Sequence, residues 1–203
     1  MRFPFLRIVA ALALAIALSA CGGPPVIKES HLLAKDHPKV TSLQFVYQEA
    51  GMKTTSTSTG RGAAIADTGF LGFGPLLAAN AGGLFAEAGV QVRSATVNVG
   101  GQPINANDLA QDERGARVPL LVVHATSGKS TSNRHATLTS YVFLAQLVDL
   151  NQPRTIWSAT IDTSTWTGQD LVMKQAESTM YDAAYATQFL KALVAQMRRD
   201  GAI

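Results

Sequence analysis

Gly128-Lys129-Ser130-Thr131 sets a lysine and two hydroxyls behind a glycine, the residue types with which a phosphate-binding loop cradles an anion. That loop also needs a glycine five positions before Gly128, where Val123 stands, and a following helix, where Ser132-Asn133-Arg134 reads as turn. A solvated hairpin loop is therefore expected. Gly69, Gly72 and Gly74 run G-x-x-G-x-G, the reverse of the dinucleotide fingerprint, with no suitably placed acidic residue after them. Among the four histidines, His31, His37, His124 and His135, no pair has helical metal-binding spacing. His124 ends one apolar run and His135 begins another, so the two could face each other across a hairpin, but polar strand ends are the simpler expectation. No G-x-S-x-G elbow surrounds a serine. Asp108, Asp112 and Glu113 beside Arg114 suit a solvated short helix. No catalytic, metal or cofactor residues are expected, and the chain is not expected to be an enzyme.

Cys21 is the remaining reactive group and the single cysteine of 203 residues. It closes the tetrad Leu18-Ser19-Ala20-Cys21, which follows an apolar run from Ile8 to Leu18 and a start carrying Arg2 and Arg7. A basic head, a short apolar middle and small residues before a cleavage point mark an export segment that is removed. The layout resembles a bacterial lipoprotein signal peptide. The resemblance implies that residues 1–20 are cut away and that lipid is attached to Cys21. Cleavage near Ala20 by an ordinary signal peptidase, or retention of residues 1–20 as an anchor, are the alternatives. The second fits poorly, since a spanning helix needs about 20 apolar residues. Lipoproteins of this type carry at least two acyl chains, enough for stable attachment where one alone is marginal. No Asp stands at position 22, which resembles the sorting pattern of lipoproteins sent to the outer membrane, facing the periplasm.

Removal of residues 1–20 takes two arginines and no acids, so Lys+Arg falls from 17 to 15 against 14 Asp+Glu, and the mature net charge is +1. A basic pI of 9.2 thus says little about partners. No cluster of Lys and Arg interleaved with aromatics marks a nucleic-acid surface. With Cys21 acylated no thiol remains, so disulfides and zinc thiolate sites are excluded. The remaining 183 residues suffice for one domain with its own core.

The elements follow from periodicity. Gly22-Gly23-Pro24-Pro25 and the polar stretch to Lys39 read as a flexible tether over residues 21–39, ahead of a single α/β domain over 40–203. Val40 to Tyr47 is a first strand, with Leu43, Phe45 and Tyr47 on one side. Thr54 to Thr59 is an exposed loop or a polar edge. Pro75, Leu76, Leu77, Leu84, Phe85 and Ala88 have helical spacing despite Gly82 and Gly83. Val90 to Val99 is a strand, and 104–114 a short helix. Val118 to Ala125 is continuously apolar, the pattern of a sheet centre covered on both faces. His135 to Leu150 alternates along a long strand, Asn151-Gln152-Pro153 turns it, and Thr155 to Asp162 returns. Met173, Ala176, Met180, Ala183, Ala184, Thr187, Leu190, Val194 and Met197 stripe one face of a long C-terminal helix that ends before Gly201. The expected fold is an α/β sandwich of two or three layers, with a mixed sheet of about five strands.

One segment stands apart. Phe70, Leu71, Phe73, Leu76 and Leu77 crowd among glycines where a loop is expected. They either pack beneath the sheet or form an exposed patch that binds a partner or dips into lipid.

Leu144-Ala145-Gln146-Leu147-Val148-Asp149, a turn, and Thr155-Ile156-Trp157-Ser158-Ala159 resemble a hairpin of envelope lipoproteins of the curli-secretion and penicillin-binding-protein-activator type, and of the amino-terminal domain of the Tol-Pal translocation protein. The resemblance implies an α/β sandwich serving as a non-enzymatic adaptor. The expectation is a lipid-anchored envelope protein that binds another envelope protein in a transport, secretion or wall-synthesis assembly. The alternative is a lipid- or glycan-binding lipoprotein with an apolar groove between Phe70–Leu77 and the long helix.

Overall fold

A computed structural model describes residues 25–48, 53–56, 72–98, 104–132, 137–164 and 183–203. Among the described residues, seven strands form one mixed sheet: β1 (Val26–Leu32), β2 (Ser42–Gln48), β3 (Lys53–Ser56), β4 (Gln91–Asn98), β5 (Leu120–Ser132), β6 (Thr137–Asp149) and β7 (Arg154–Asp162). The spatial order is β1-β7-β6-β5-β2-β4. β3 pairs with β5 beyond the end of β2, so it continues the line of that strand. The β1, β7, β6 and β5 neighbours are antiparallel, whereas β2 runs parallel to both β5 and β4. The α/β sandwich with a mixed sheet and a C-terminal helix is as expected from sequence, with two strands more than expected.

Among the described residues, two helices cover one face. α1 (Phe73–Glu87) buries Phe73, Leu77, Ala81 and Phe85, each one turn on from the last. Gly74 lies against the ring of Tyr47, where a Cβ would collide with it. Gly82 and Gly83 are exposed and face open space, so they weaken the helix only through their backbone entropy. α2 (Ala183–Asp200) buries Ala186, Phe189, Leu190, Leu193, Val194 and Met197. The expected stripe was thus partly wrong: Ala183 and Ala184 are exposed, and Phe189 and Leu193 are the residues that reach the core. Met173, Ala176 and Met180 lie outside the described residues. Gly201 ends α2 with a φ of 78°, and the N–H of Ala202 donates back to the Met197 carbonyl at 2.8 Å. Only glycine takes that conformation at no steric cost.

Between helices and sheet sit Phe45, Tyr47, Leu121, Val123, Phe143, Ala145, Leu147, Trp157 and Ile161, all fully buried. Their alternation along β2, β5, β6 and β7 is the period-two pattern of strands that bury one face. The opposite face differs. Val122, His124, Leu144, Gln146 and Val148 are half-buried there, so β5 is not the evenly covered strand its continuous apolar sequence suggested. Over β2 this second face is closed: Val46 and Gln44 are both 1% exposed. The Gln44 amide donates to the Asp108 carbonyl at 3.0 Å and accepts the Ala110 N–H at 2.9 Å, clamping the 104–118 loop onto the sheet. That loop holds a single 3-10 turn at Ala106–Asp108 where a short helix was expected.

Candidate functional site

The residues singled out for chemistry take these places in the fold. Gly128-Lys129-Ser130-Thr131 is no hairpin loop: it lies inside β5, paired in register with Tyr141, Ser140, Thr139 and Leu138 of β6. A backbone fixed in a ladder cannot wrap an anion. His124 pairs with Leu144, and the segment holding His135 lies outside the described residues, so the histidines do not oppose each other along the described ladder. The His124 ring is half-buried and its Nδ1 has no hydrogen-bond partner. Burial holds its pKa below the usual imidazole value, which keeps the ring neutral near pH 7. Asp112 accepts backbone N–H groups from Arg114 and Ala116, both at 2.9 Å, so it shapes its own turn. Glu113 faces Arg93 at 3.7 Å. Among the described residues no cluster of three or more histidine, cysteine or acidic side chains could hold a metal.

The apolar segment divides. Phe73 and Leu77, candidates for partner contact, are fully buried, and Leu76 packs half-buried against the core. These residues are held beneath the sheet and do not form the exposed patch; Phe70 and Leu71 lie outside the described residues. Phe73 meets the Phe143 and Phe189 rings at centroid separations of 5.8 Å each, and those two rings meet at 5.0 Å. Edge-on and tilted stacking of this kind favours tight packing. It also fills the space between the Phe73–Leu77 segment and α2 where a ligand groove was considered. The outer groove between the helices, lined by Leu84, Glu87, Lys191, Val194 and Arg198, measures about 220 Å³, below the range of roughly 300 to 1,000 Å³ usual for small-molecule pockets.

The most consequential placement concerns the stretch after Cys21. Residues 26–39 are not tether. Pro25 is buried, and β1 pairs with β7 from Val26 opposite Asp162 to Leu32 opposite Trp157. Further bonds fasten the same stretch. The Leu33 and Ala34 N–H groups donate to the Ile156 carbonyl at 2.8 and 3.2 Å. Arg154 grips both Asp36 oxygens at 2.9 and 3.2 Å. His37 Nε2 lies 3.2 Å from the Gly201 carbonyl at the end of α2. Lys28 and Asp162 pair at 3.4 Å. Burial raises the Asp162 carboxyl pKa, but hydrogen bonds from Ser164 and the Lys28 charge outweigh it and hold the group below its usual value.

A chain of side-chain bonds completes the attachment. Trp157 Nε1–H donates to Asp200 at 2.8 Å, Gln196 donates to Asp200 at 2.9 Å and to Ser30 at 2.8 Å. Thus β7, α2 and β1 are tied through one buried tryptophan. The Leu147-Val148-Asp149 end of β6 also acquires a physical role: Asp149, 8% exposed, accepts the N–H groups of Asn151 and Gln152 at 2.9 and 3.2 Å and so folds the turn. Sequence reasoning missed β1 because its charged residues, Lys28, Glu29 and His31, break the apolar alternation. Such charges are what a sheet-edge strand carries to discourage further pairing, and Val26-Ile27 after Pro25 was the available signal.

No helix among the described residues is long and apolar enough to cross a membrane. The chain matches no protein-family model and no curated protein sequence. It is similar in structure to the PelC dodecamer subunit of Paraburkholderia phytofirmans, at 13% identity over 84% of this chain and 94% of that one, with a TM-score of 0.38. It is similar to lipoprotein GNA1162 of Neisseria meningitidis, at 17% identity over 76% and 98%, with a TM-score of 0.32. Protein XCC0632 of Xanthomonas campestris aligns at 12% identity over 83% and 91%, with a TM-score of 0.35. The overlap is loose, and no residue role carries over from these structures to this chain.

Proposed function

We propose that the protein is a cell-envelope lipoprotein, held to a membrane through lipid on Cys21, that acts as a non-enzymatic adaptor for another envelope protein in a transport, secretion or wall-synthesis assembly. The observation that carries the reading is Leu18-Ser19-Ala20-Cys21 directly behind an apolar run and a basic start. Its chemistry is an address and an attachment point. The absence of Asp at position 22 favours the outer membrane, facing the periplasm. The fastening of β1 supports the same reading: a pull on Cys21 passes into a strand bonded to β7 and α2, so the domain is held by its edge instead of trailing on a long linker. The filled space around Phe73, Phe143 and Phe189 favours an adaptor over a protein that stores a lipid or glycan in its core.

Cys21→Ser expressed from the full chain should move the protein from the membrane to the soluble fraction. Crosslinking of the native chain in membranes, followed by mass spectrometry, should recover one recurrent envelope protein. Unchanged membrane attachment of Cys21→Ser removes the lipoprotein reading. Crosslinks to a soluble small-molecule pathway's enzymes, or none above background, remove the adaptor reading.

A further inference from the structure

The outer sides of the two helices differ in kind. α1 carries a single charged residue, Glu87, and turns Ala79, Gly82, Gly83 and Ala86 outward, all exposed and none longer than a methyl group. A Cβ placed on either glycine would meet open space. A helix that faces water ordinarily spreads charged and polar groups over that side. α2 does so: Lys191, Arg198 and Arg199 stand exposed, while its one acid, Asp200, is engaged by Trp157 and Gln196. Between the helices, Leu84 and Val194 line a groove together with Glu87, Lys191 and Arg198. Those three charges are exposed, and among the described residues none of them takes part in an ion pair.

We infer that this two-helix layer is the docking face for a second copy of the same chain, related to the first by a two-fold axis along the groove. Residues that line one groove share a level along it. A two-fold axis running along the groove lays α1 of each copy over α2 of the other at that same level, so every contact is made twice. Each Glu87 then meets the other copy's Lys191 and Arg198, and charges with no ion pair among the described residues pair between chains. Size follows charge: the long side chains of α2 need clearance, and the Ala and Gly side of α1 supplies it. With 15 residues in α1, the layer measures about 22 Å by about 20 Å, a footprint of about 450 Å² per copy. Stable complexes bury about 800 Å² per partner, so the pairing is weak and is best caught covalently. It does not depend on lipid at Cys21.

The test places the photo-crosslinking residue p-benzoylphenylalanine at the Ala195 position, an exposed site on the groove, in the full chain in intact cells. The Asn151 position, on the exposed turn, is the control. Two versions of the chain with different epitope tags are co-expressed, and light should join the two tags through position 195 and not through 151. Glu87→Lys in both versions, or Lys191→Glu with Arg198→Glu in both, should cut the yield about tenfold, because like charges then face each other across the axis. Glu87→Lys in one version and the double change in the other should restore it, since every contact again joins opposite charges. No product at 195, equal yields at 195 and 151, or a product that joins position 195 to a different protein overturns the docking face. Yields that ignore the charge changes, or a loss that the mixed versions fail to recover, overturn the reciprocal pairing. Thermal midpoints of the purified variants, expected to match the parent chain's, separate that loss from misfolding.

Discussion

The two ends of this sheet are built on opposite plans. At the end bearing the Asn151–Pro153 turn, nearly every element is locked by a side chain: Trp157 to Asp200, Gln196 to Ser30, Asp149 to its own turn, Arg154 to Asp36. At the other end, β5 and β6 run on past β2 and β7 as a two-stranded arm made largely of Ser, Thr and Gly, with β3 paired along it among the described residues. Two-stranded ribbons are marginal by themselves in water. The difference teaches where the side-chain locks reside: they gather at the turn end, while the arm is held by its backbone ladder and by Tyr141, which still reaches the core.

The sharpest way to break this comparison is to remove a lock. Trp157→Ala should destabilise the domain by roughly 3 to 5 kcal/mol, because it opens a cavity and leaves Asp200 short of a donor; urea unfolding measures it, and a change near zero would show the locked end to be misassigned. Gly74→Ala should cost about 1 to 3 kcal/mol, since the new Cβ drives into the Tyr47 ring and the helix or ring must shift; the same titration decides. Asp149→Ala should cost about 1 kcal/mol by orphaning two turn N–H groups. By contrast, Ser140→Ala, at a half-buried position on the arm, should change stability by no more than about 0.5 kcal/mol, and a larger loss would erase the contrast between the ends.

Acid sharpens the picture further and has the smallest expected effect. The folded pKa of His124 lies below the unfolded one because burial disfavours the charged ring. Between the two values the unfolded chain binds more protons, so stability is complete above about pH 6.5 and is lost as pH falls through that value towards the folded pKa. Asp162, also lowered, adds a second loss below about pH 4 as its hydrogen bonds and Lys28 pairing fail. His124→Gln should abolish the first step and keep the second in a pH series of thermal midpoints.

Legibility in sequence followed how strongly each segment's burial shaped its residues. β6 and β7 were readable because one face must be apolar, and Tyr141, Phe143, Ala145 and Leu147 write that face in period two. α2 was readable as a helix but not in phase: alanines at 183 and 184 fit an apolar stripe as well as Phe189 and Leu193 do, and only packing chooses between them. β1 was invisible because an edge strand is selected for charges and buries little. The extension of β5 through Gly128-Lys129-Ser130-Thr131 was invisible too, since a run of glycine and polar residues carries no apolar alternation to tell a ladder from a loop. The Phe73–Leu77 segment showed its apolarity plainly, yet whether such residues face a partner or a core depends on what α2 brings against them. The lipid-bearing residue was legible by a separate logic, since export machinery reads the linear chain.

The central claim is that this domain is bound to a membrane by lipid on Cys21, and the intact mass of the mature chain from native membranes tests it most directly. The account predicts a chain beginning at Cys21 and heavier than its amino acids by at least two acyl chains with their glycerol link. A chain that keeps residues 1–20, or one that begins at Cys21 with an unmodified thiol, would contradict it.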